Sequence, residues 1–234
     1  APLWDLERAR RFADACAVLR TQVLRRLRGN GWNVVGVVSP REGEGKTLTA
    51  LNLAISMALE VSYTVLLVDA DLRNPTVHSQ LGIDQSPGLS DYLTRDMPVP
   101  ELLVHPEAVE HLVVLPGGEP LESSAEMLGS PKMLDLVEDM RTRYPSRIVV
   151  FDLPPLLPAA DTLAFAPYVD STLLVLEDGG TDSEDASQAL EMLEGTNVLG
   201  SVLNKVPERD TTRGYGSAGS GRGGALRRLF GGRG

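Results

Sequence analysis

The stretch from Val34 to Ala50, VVGVVSPREGEGKTLTA, limits what this chain can fold into more than any other. Its first five residues are apolar and mostly β-branched, the composition of a strand buried on both faces. Ser39 and Pro40 stop the run, and a loop containing Gly43 and Gly45 follows. Lys46-Thr47 then opens a segment in which Leu48, Leu51, Ile55 and Ala58 recur at helical spacing. Strand, glycine-rich loop, Gly-Lys-Thr and helix in that order form a phosphate-binding P-loop. The loop from Glu42 through Gly43, Glu44, Gly45, Lys46 and Thr47 to Leu48 would cradle phosphates with its amides and the helix N-terminus. Lys46 would reach the outer phosphates and the Thr47 hydroxyl would ligate Mg²⁺. The strict pattern wants glycine at position 40, where this chain has Pro40.

A length of 234 residues suits one α/β domain, here bounded at 1–208, with 209–234 as a separate tail. The net charge of −10 is unevenly placed. Six arginines and one acid from Arg209 onward give +5, which leaves −15 on the preceding 208 residues. A body that acidic is a poor general binder of nucleic acid, and none is expected as a partner. One cysteine, Cys16, excludes a disulfide framework within the chain and fits a reducing cytosol. No apolar run approaches the roughly 20 residues needed to span a bilayer, and no signal peptide is visible. The expected place is therefore cytoplasmic. The chain opens at Ala1 rather than Met, which fits a trimmed chain or a piece of a longer one. His78, His105 and His111 show no metal-ligand spacing.

Along the chain, Asp5–Arg28 reads as an amphipathic helix with Phe12, Cys16, Leu19, Val23 and Leu27 on one face, ended by Gly29-Asn30-Gly31. Thr64–Val68 is a second buried strand running into Asp69-Ala70-Asp71. Acids just past the carboxyl end of a parallel strand lie where α/β sheets place ligand chemistry. Beside a P-loop, Asp69 and Asp71 become a candidate pair for Mg²⁺ and nucleophile activation. Gly88–Leu93 opens a short helix, Leu112–Leu115 is a third strand closed by Pro116-Gly-Gly118, and Met127–Met140 reads as one amphipathic helix. Ile148–Phe151 is an apolar strand ending in Asp152, the Walker B form, whose acid holds Mg²⁺ through a water. Ser171–Leu176 and Val198–Leu203 complete the strands, with a helix over Asp182–Leu193. Strands alternating with helices imply a doubly wound, mainly parallel sheet with helices on both faces.

SPREGEGKT, VLLVDADLRNP and VVFDLPP together resemble the bacterial tyrosine kinases (BY-kinases), within the wider MinD/ParA class of P-loop ATPases. GLSDYL, VLPGG, ESSAEMLGSPKM and VLGSVLNK extend the resemblance over about residues 14–207. The resemblance implies Walker A, A′ and B roles for Gly43 to Thr47, for Asp69 with Asp71, and for Asp152. It makes Asp69 a candidate catalytic base, with Lys46, Asp71 and Asp152 in the catalytic set and Thr47, Asp71 and Asp152 around Mg²⁺. It also makes Pro40 unremarkable, since the early glycine is missing in that group too. Asn204-Lys205 ends the last strand, where this class reads the nucleotide base. A guanine reader of the form N-K-x-D needs Asp at 207, and this chain has Pro207, so ATP is the expected nucleotide.

Two features depart from the BY-kinase group and a third from the MinD and ParA proteins. The tail holds one tyrosine, Tyr215, in place of a cluster; Asp14, Ala17 and Arg20 stand where an E-x-x-R-x-x-R ring-assembly pattern is usual; and Arg41 stands where MinD and ParA proteins have a signature lysine. Residues 210–224 are Gly/Ser-rich, and disorder is expected there. Beyond them, Leu226, Leu229 and Phe230 fall at i, i+3 and i+4 with Arg227 and Arg228 turned away, a pattern similar to the membrane-targeting helix of MinD proteins. The resemblance as a whole implies a homo-oligomer that controls exopolysaccharide or capsule synthesis and export beside a membrane-embedded chain-length or export protein. The alternative is a MinD-like, nucleotide-switched positioning or scaffold ATPase working at the inner face of the membrane.

Overall fold

Runs that are apolar at every position, rather than at alternate ones, become the strands of a sheet covered on both sides. In the computed structural model, which describes residues 3–60, 62–144, 146–157 and 161–207, six strands form one parallel sheet, five of them buried at nearly every position. They are β1 (Val34–Val38), β2 (Thr64–Asp69), β3 (Leu112–Leu115), β4 (Arg147–Asp152), β5 (Ser171–Glu177) and β6 (Val198–Asn204). Their order is β3-β2-β4-β1-β5-β6, and every neighbouring pair is parallel. The doubly wound, mainly parallel α/β architecture expected from the sequence is what the chain adopts.

Because strand side chains alternate, each strand feeds two cores. Val35, Val37, Val65, Leu67 and Val150 face one side. There they meet Val23, Leu24 and Leu27 of α1 (Leu3–Asn30) and Ala50, Leu53, Ala54 and Met57 of α2 (Lys46–Ala58). Val34, Val38, Leu66, Val68 and Phe151 face the other side. Against them pack parts of α4 (Leu89–Arg95), α5 (Val99–Leu102), α7 (Pro131–Thr142), α8 (Asp161–Phe165) and α9 (Ser183–Met192). Phe151 and Phe165 stack tilted in that second core, ring centres 4.9 Å apart. Two short helices, α3 (Val77–Gln80) and α6 (Ser124–Leu128), sit in connections. Among the described residues no helix is long and apolar enough to cross a membrane.

Three local expectations are corrected. The segment Met127–Met140 is not one helix. It breaks at Gly129-Ser130, because Pro131 lacks the N–H needed inside a helix but fits its first position. Ser130 caps the new start, its Oγ accepting the Met133 amide at 3.2 Å. On α1, Val23 and Leu27 are buried as expected, but Phe12 is 49 % exposed. A 28-residue helix is about 42 Å long, far more than the 13 residues of α2 beneath it can cover. Leu48 is likewise 46 % exposed. It lies on the first turn of α2, where the helix begins at the end of the sheet, and the stripe facing inward is carried by Ala50, Leu51, Leu53, Ala54 and Met57. The α1 terminus follows expectation: Gly31 takes φ +70° and the Trp32 amide returns to the Leu27 carbonyl at 2.9 Å.

The expectations for the tail, namely disorder over 210–224, Tyr215, the apolar set Leu226, Leu229 and Phe230, and a unit at 209–234, lie outside the described residues.

Candidate functional site

β1 hands the chain to a loop that is folded largely by its own polar groups. The Ser39 hydroxyl donates to the Arg41 carbonyl at 2.7 Å, and the Arg41 amide donates to the Glu44 carboxylate at 3.0 Å. Gly45 adopts φ +89°, and a Cβ there would lie 2.1 Å from Asn204 Nδ2, so both conformation and space require glycine. From Gly45 the chain enters α2, with the Thr49 amide and hydroxyl both donating to the Gly45 carbonyl. Lys46 and Thr47 therefore occupy the first turn, at the positive end of the helix dipole.

Lys46 is 8 % exposed. Its Nζ donates to Asp71 Oδ2 at 2.8 Å, to Asp152 Oδ1 at 3.3 Å and to Thr47 Oγ1 at 3.3 Å. The acids are delivered by the sheet. The register of β2 against β4 pairs Asp69 with Asp152, so neighbouring strands end in carboxylates side by side. Asp71 follows two residues later. Asp69 is 0 % exposed, and its Oδ2 accepts the Val77 amide at 3.0 Å. Asp69 Oδ1 and Asp152 Oδ2 are buried with no hydrogen-bond partner among the described residues.

These charges shift one another. Burial, then the Asp152 charge, pushes the Asp69 carboxyl up to about 8. Burial also raises Asp152, opposed by the Lys46 charge and a Thr47 hydrogen bond. For Lys46 burial pulls downward, but Asp152 and Asp71 outweigh it and the ammonium titrates above its ordinary value. A buried carboxyl that keeps its proton up to about pH 8 thus shares the cluster with a lysine held charged.

The structure brings Lys46, Thr47, Asp69, Asp71 and Asp152 together, with Glu44 and Asn204 adjoining. It sets Glu42 in solvent and directs the Lys205 ammonium to Glu177 at 2.9 Å. Asn204 Nδ2 donates to the Glu44 carbonyl at 2.9 Å, so the residue expected to read a base also supports the loop. Reading the sequence missed two features. Arg73 Nε donates to both oxygens of the buried Asp161 at 3.0 Å, and the Glu44 carboxylate is tied to Thr181. These partners lie 88 and 137 residues apart, beyond any local pattern.

The oxygens of Thr47, Asp71 and Asp152 are hard donors of the kind Mg²⁺ takes, and the orphaned Asp152 Oδ2 adds a free acceptor. Among the described residues no three of His, Cys, Asp or Glu converge as a metal cage by themselves. That fits Mg²⁺, which keeps waters and leans on phosphate oxygens.

The chain is similar to known nucleotide-binding proteins and tyrosine kinases. The model of the CobQ/CobB/MinD/ParA nucleotide binding domain matches residues 35–217. The chain is 36 % identical over 172 residues to tyrosine-protein kinase YwqD of Bacillus subtilis, covering 73 % of this chain and 71 % of that one. It is 34 % identical over 184 residues to the succinoglycan biosynthesis transport protein ExoP of Rhizobium meliloti, covering 76 % of this chain but only 23 % of ExoP. The solved structure of the kinase domain of the Escherichia coli tyrosine kinase ETK superposes with a TM-score of 0.77 at 26 % identity, over 89 % of this chain and 80 % of that one.

Proposed function

Because the chain belongs to the CobQ/CobB/MinD/ParA nucleotide-binding family, and within it to the bacterial tyrosine-kinase group, we propose that it binds ATP with Mg²⁺ and transfers the terminal phosphoryl group to tyrosine. Mg·ATP, when bound, supplies the transferable group and a divalent charge. The observation that carries the reading is the meeting of Lys46 with Asp71 and Asp152, three residues from three separate motifs within hydrogen-bonding reach. Lys46 would leave these acids for the phosphates and neutralise charge there, while Thr47, Asp71 and Asp152 turn their oxygens to the metal. Asp69 Oδ1 is the free acceptor for the tyrosine proton. Burial and the Asp152 charge make its carboxylate more basic than an ordinary one in the nucleotide-free site, which suits its ionised form to taking that proton. Pro207 in place of a guanine-reading acid supports adenine.

The proposed setting is cytoplasmic, in a homo-oligomer beside a membrane-embedded polysaccharide chain-length or export protein, in line with the transport role named for ExoP. Incubation with Mg·ATP followed by mass spectrometry tests the chemistry: phosphotyrosine that disappears in Lys46→Met is expected. Absence of phosphotyrosine despite ATP turnover would count against tyrosine transfer.

The scarcity of tail tyrosines favours a second reading, a nucleotide-switched scaffold of the MinD kind. It calls for ATP-dependent sedimentation with anionic liposomes that is lost when the chain ends at Gly224. Equal pelleting of the intact and shortened chains would remove it.

A further inference from the structure

A carboxylate is out of place in a loop whose amides gather to hold anions, yet Glu44 is only 4 % exposed there. Both of its oxygens are engaged. Oε2 accepts the Arg41 amide at 3.0 Å, and Oε1 accepts the Thr181 hydroxyl at 2.5 Å. Thr181 lies in the turn between β5 and α9, and its Oγ1 in turn accepts the Glu177 amide at 2.8 Å. The Arg41 guanidinium reaches the same region, Nη2 donating to Asp185 Oδ1 at 2.8 Å. From the other side, Asn204 at the end of β6 holds the Glu44 carbonyl and fills the space beside Gly45.

Resting on the reading of this loop as the nucleotide site, we propose that Glu44 is a positioning residue. Its carboxylate clamps the arch 39–45 onto Thr181, and its carbonyl fastens the same arch to Asn204. The phosphate loop and the base-proximal end of β6 are thereby joined into one rigid unit. The Arg41 amide is committed to Glu44, so the phosphates are left to the amides beyond it.

Glu44 has two effects on a bound polyphosphate, and they oppose each other. Its charge repels the ligand, while its clamp pre-orders the amides that receive it. Removing the side chain therefore tightens binding if repulsion dominates and weakens it if the clamp dominates. Two charge-assisted hydrogen bonds in a buried setting favour the clamp.

The test uses the full chain and the variants Glu44→Ala, Glu44→Gln, Thr181→Val and the double Glu44→Ala/Thr181→Val. In the nucleotide-free proteins, amide hydrogen exchange across 39–45 should quicken in Glu44→Ala and Thr181→Val while β1 and α2 keep the parent's rates. By calorimetry, Glu44→Ala should weaken Mg·ATP about tenfold and leave adenosine nearly unaffected. Thr181→Val should weaken it less, and the double variant should be no worse than Glu44→Ala, because both changes break one clamp. Glu44→Gln, which keeps an acceptor for the Arg41 amide without the charge, should recover most of the affinity. Tighter Mg·ATP binding by Glu44→Ala, additive losses in the double variant, or unchanged loop exchange would each overturn the proposal. If the parent itself binds no nucleotide, the nucleotide reading fails, and the exchange measurements still decide the clamp.

Discussion

Lys46 serves two states of the site. In the structure it is the counter-charge of two buried acids, and in turnover it is the proposed partner of phosphates. Lys46→Met should therefore do two things. Turnover should fall by a hundredfold or more, about the loss seen when a main charge stabiliser is removed. Stability should also become more sensitive to pH, because Asp152, already raised by burial, loses the cation that opposes that rise. Thermal unfolding at pH 6 and pH 8 measures the second effect, and the deficit should be larger at pH 8. Asp69 makes the opposite case. Its folded carboxyl titrates near 8, against an unfolded value of 3.8. Between those values the folded chain holds a proton that the unfolded chain has released, so this contribution to stability is full below about pH 4 and is lost as pH rises through about 8. Asp69→Asn removes the titration. We expect the nucleotide-free variant to match the parent near pH 4, to exceed it by a few kcal/mol near pH 9, and to have lost turnover. Denaturant melts across that range check the sign. A variant that is less stable at every pH would contradict the assignment.

At the level of elements, the strands could be read because each carries an apolar run, dense in β1 to β5 and interrupted by Gly200 and Ser201 in β6, and a parallel strand covered on both faces needs little else. The limits of α1 and α4 could be read for a similar reason, since Gly31 and Gly88 stand at their ends. What failed was burial along helices. Periodicity shows that Phe12 and Leu48 share a face with core residues, but it cannot show where the sheet beneath stops. The break before α7 could have been found from the tripeptide Gly129-Ser130-Pro131, a capping residue followed by a proline at the first helical position. Its worth can be measured. Ser130→Ala frees the Met133 amide from its side-chain acceptor and should cost about 1 kcal/mol in urea denaturation. It should leave nucleotide affinity untouched, because among the described residues no hydrogen bond or ion pair joins α7 to residues 39–47.

For the molecule as a whole, the three motifs that meet at the site were legible because each is local: Gly-Lys-Thr, Asp-x-Asp and a strand ending in Asp. Their meeting was not legible, because the strand order that places β4 between β1 and β2 is a property of the sheet and of no single segment. The same holds for the bracing of Glu44 by Thr181 and Asn204. Ligand linkage gives a test at this scale. Mg·ATP at 100 times its dissociation constant should stabilise the chain by about 2.7 kcal/mol and raise its melting temperature, whereas Mg·GTP at the same concentration should raise it little. Equal shifts would remove the argument from Pro207. The order of the strands also bears on how the chain is made. Lys46 waits 106 residues for Asp152, and Glu44 waits 160 for Asn204. A chain still emerging from a ribosome holds the lysine and the loop long before it holds the partners that complete them. Until β6 docks, the loop lacks its Asn204 support, and such distant pairings are the slow ones to form. Chemical competence is thus acquired last, and an unfinished or prematurely ended chain carries the motif without the braced site.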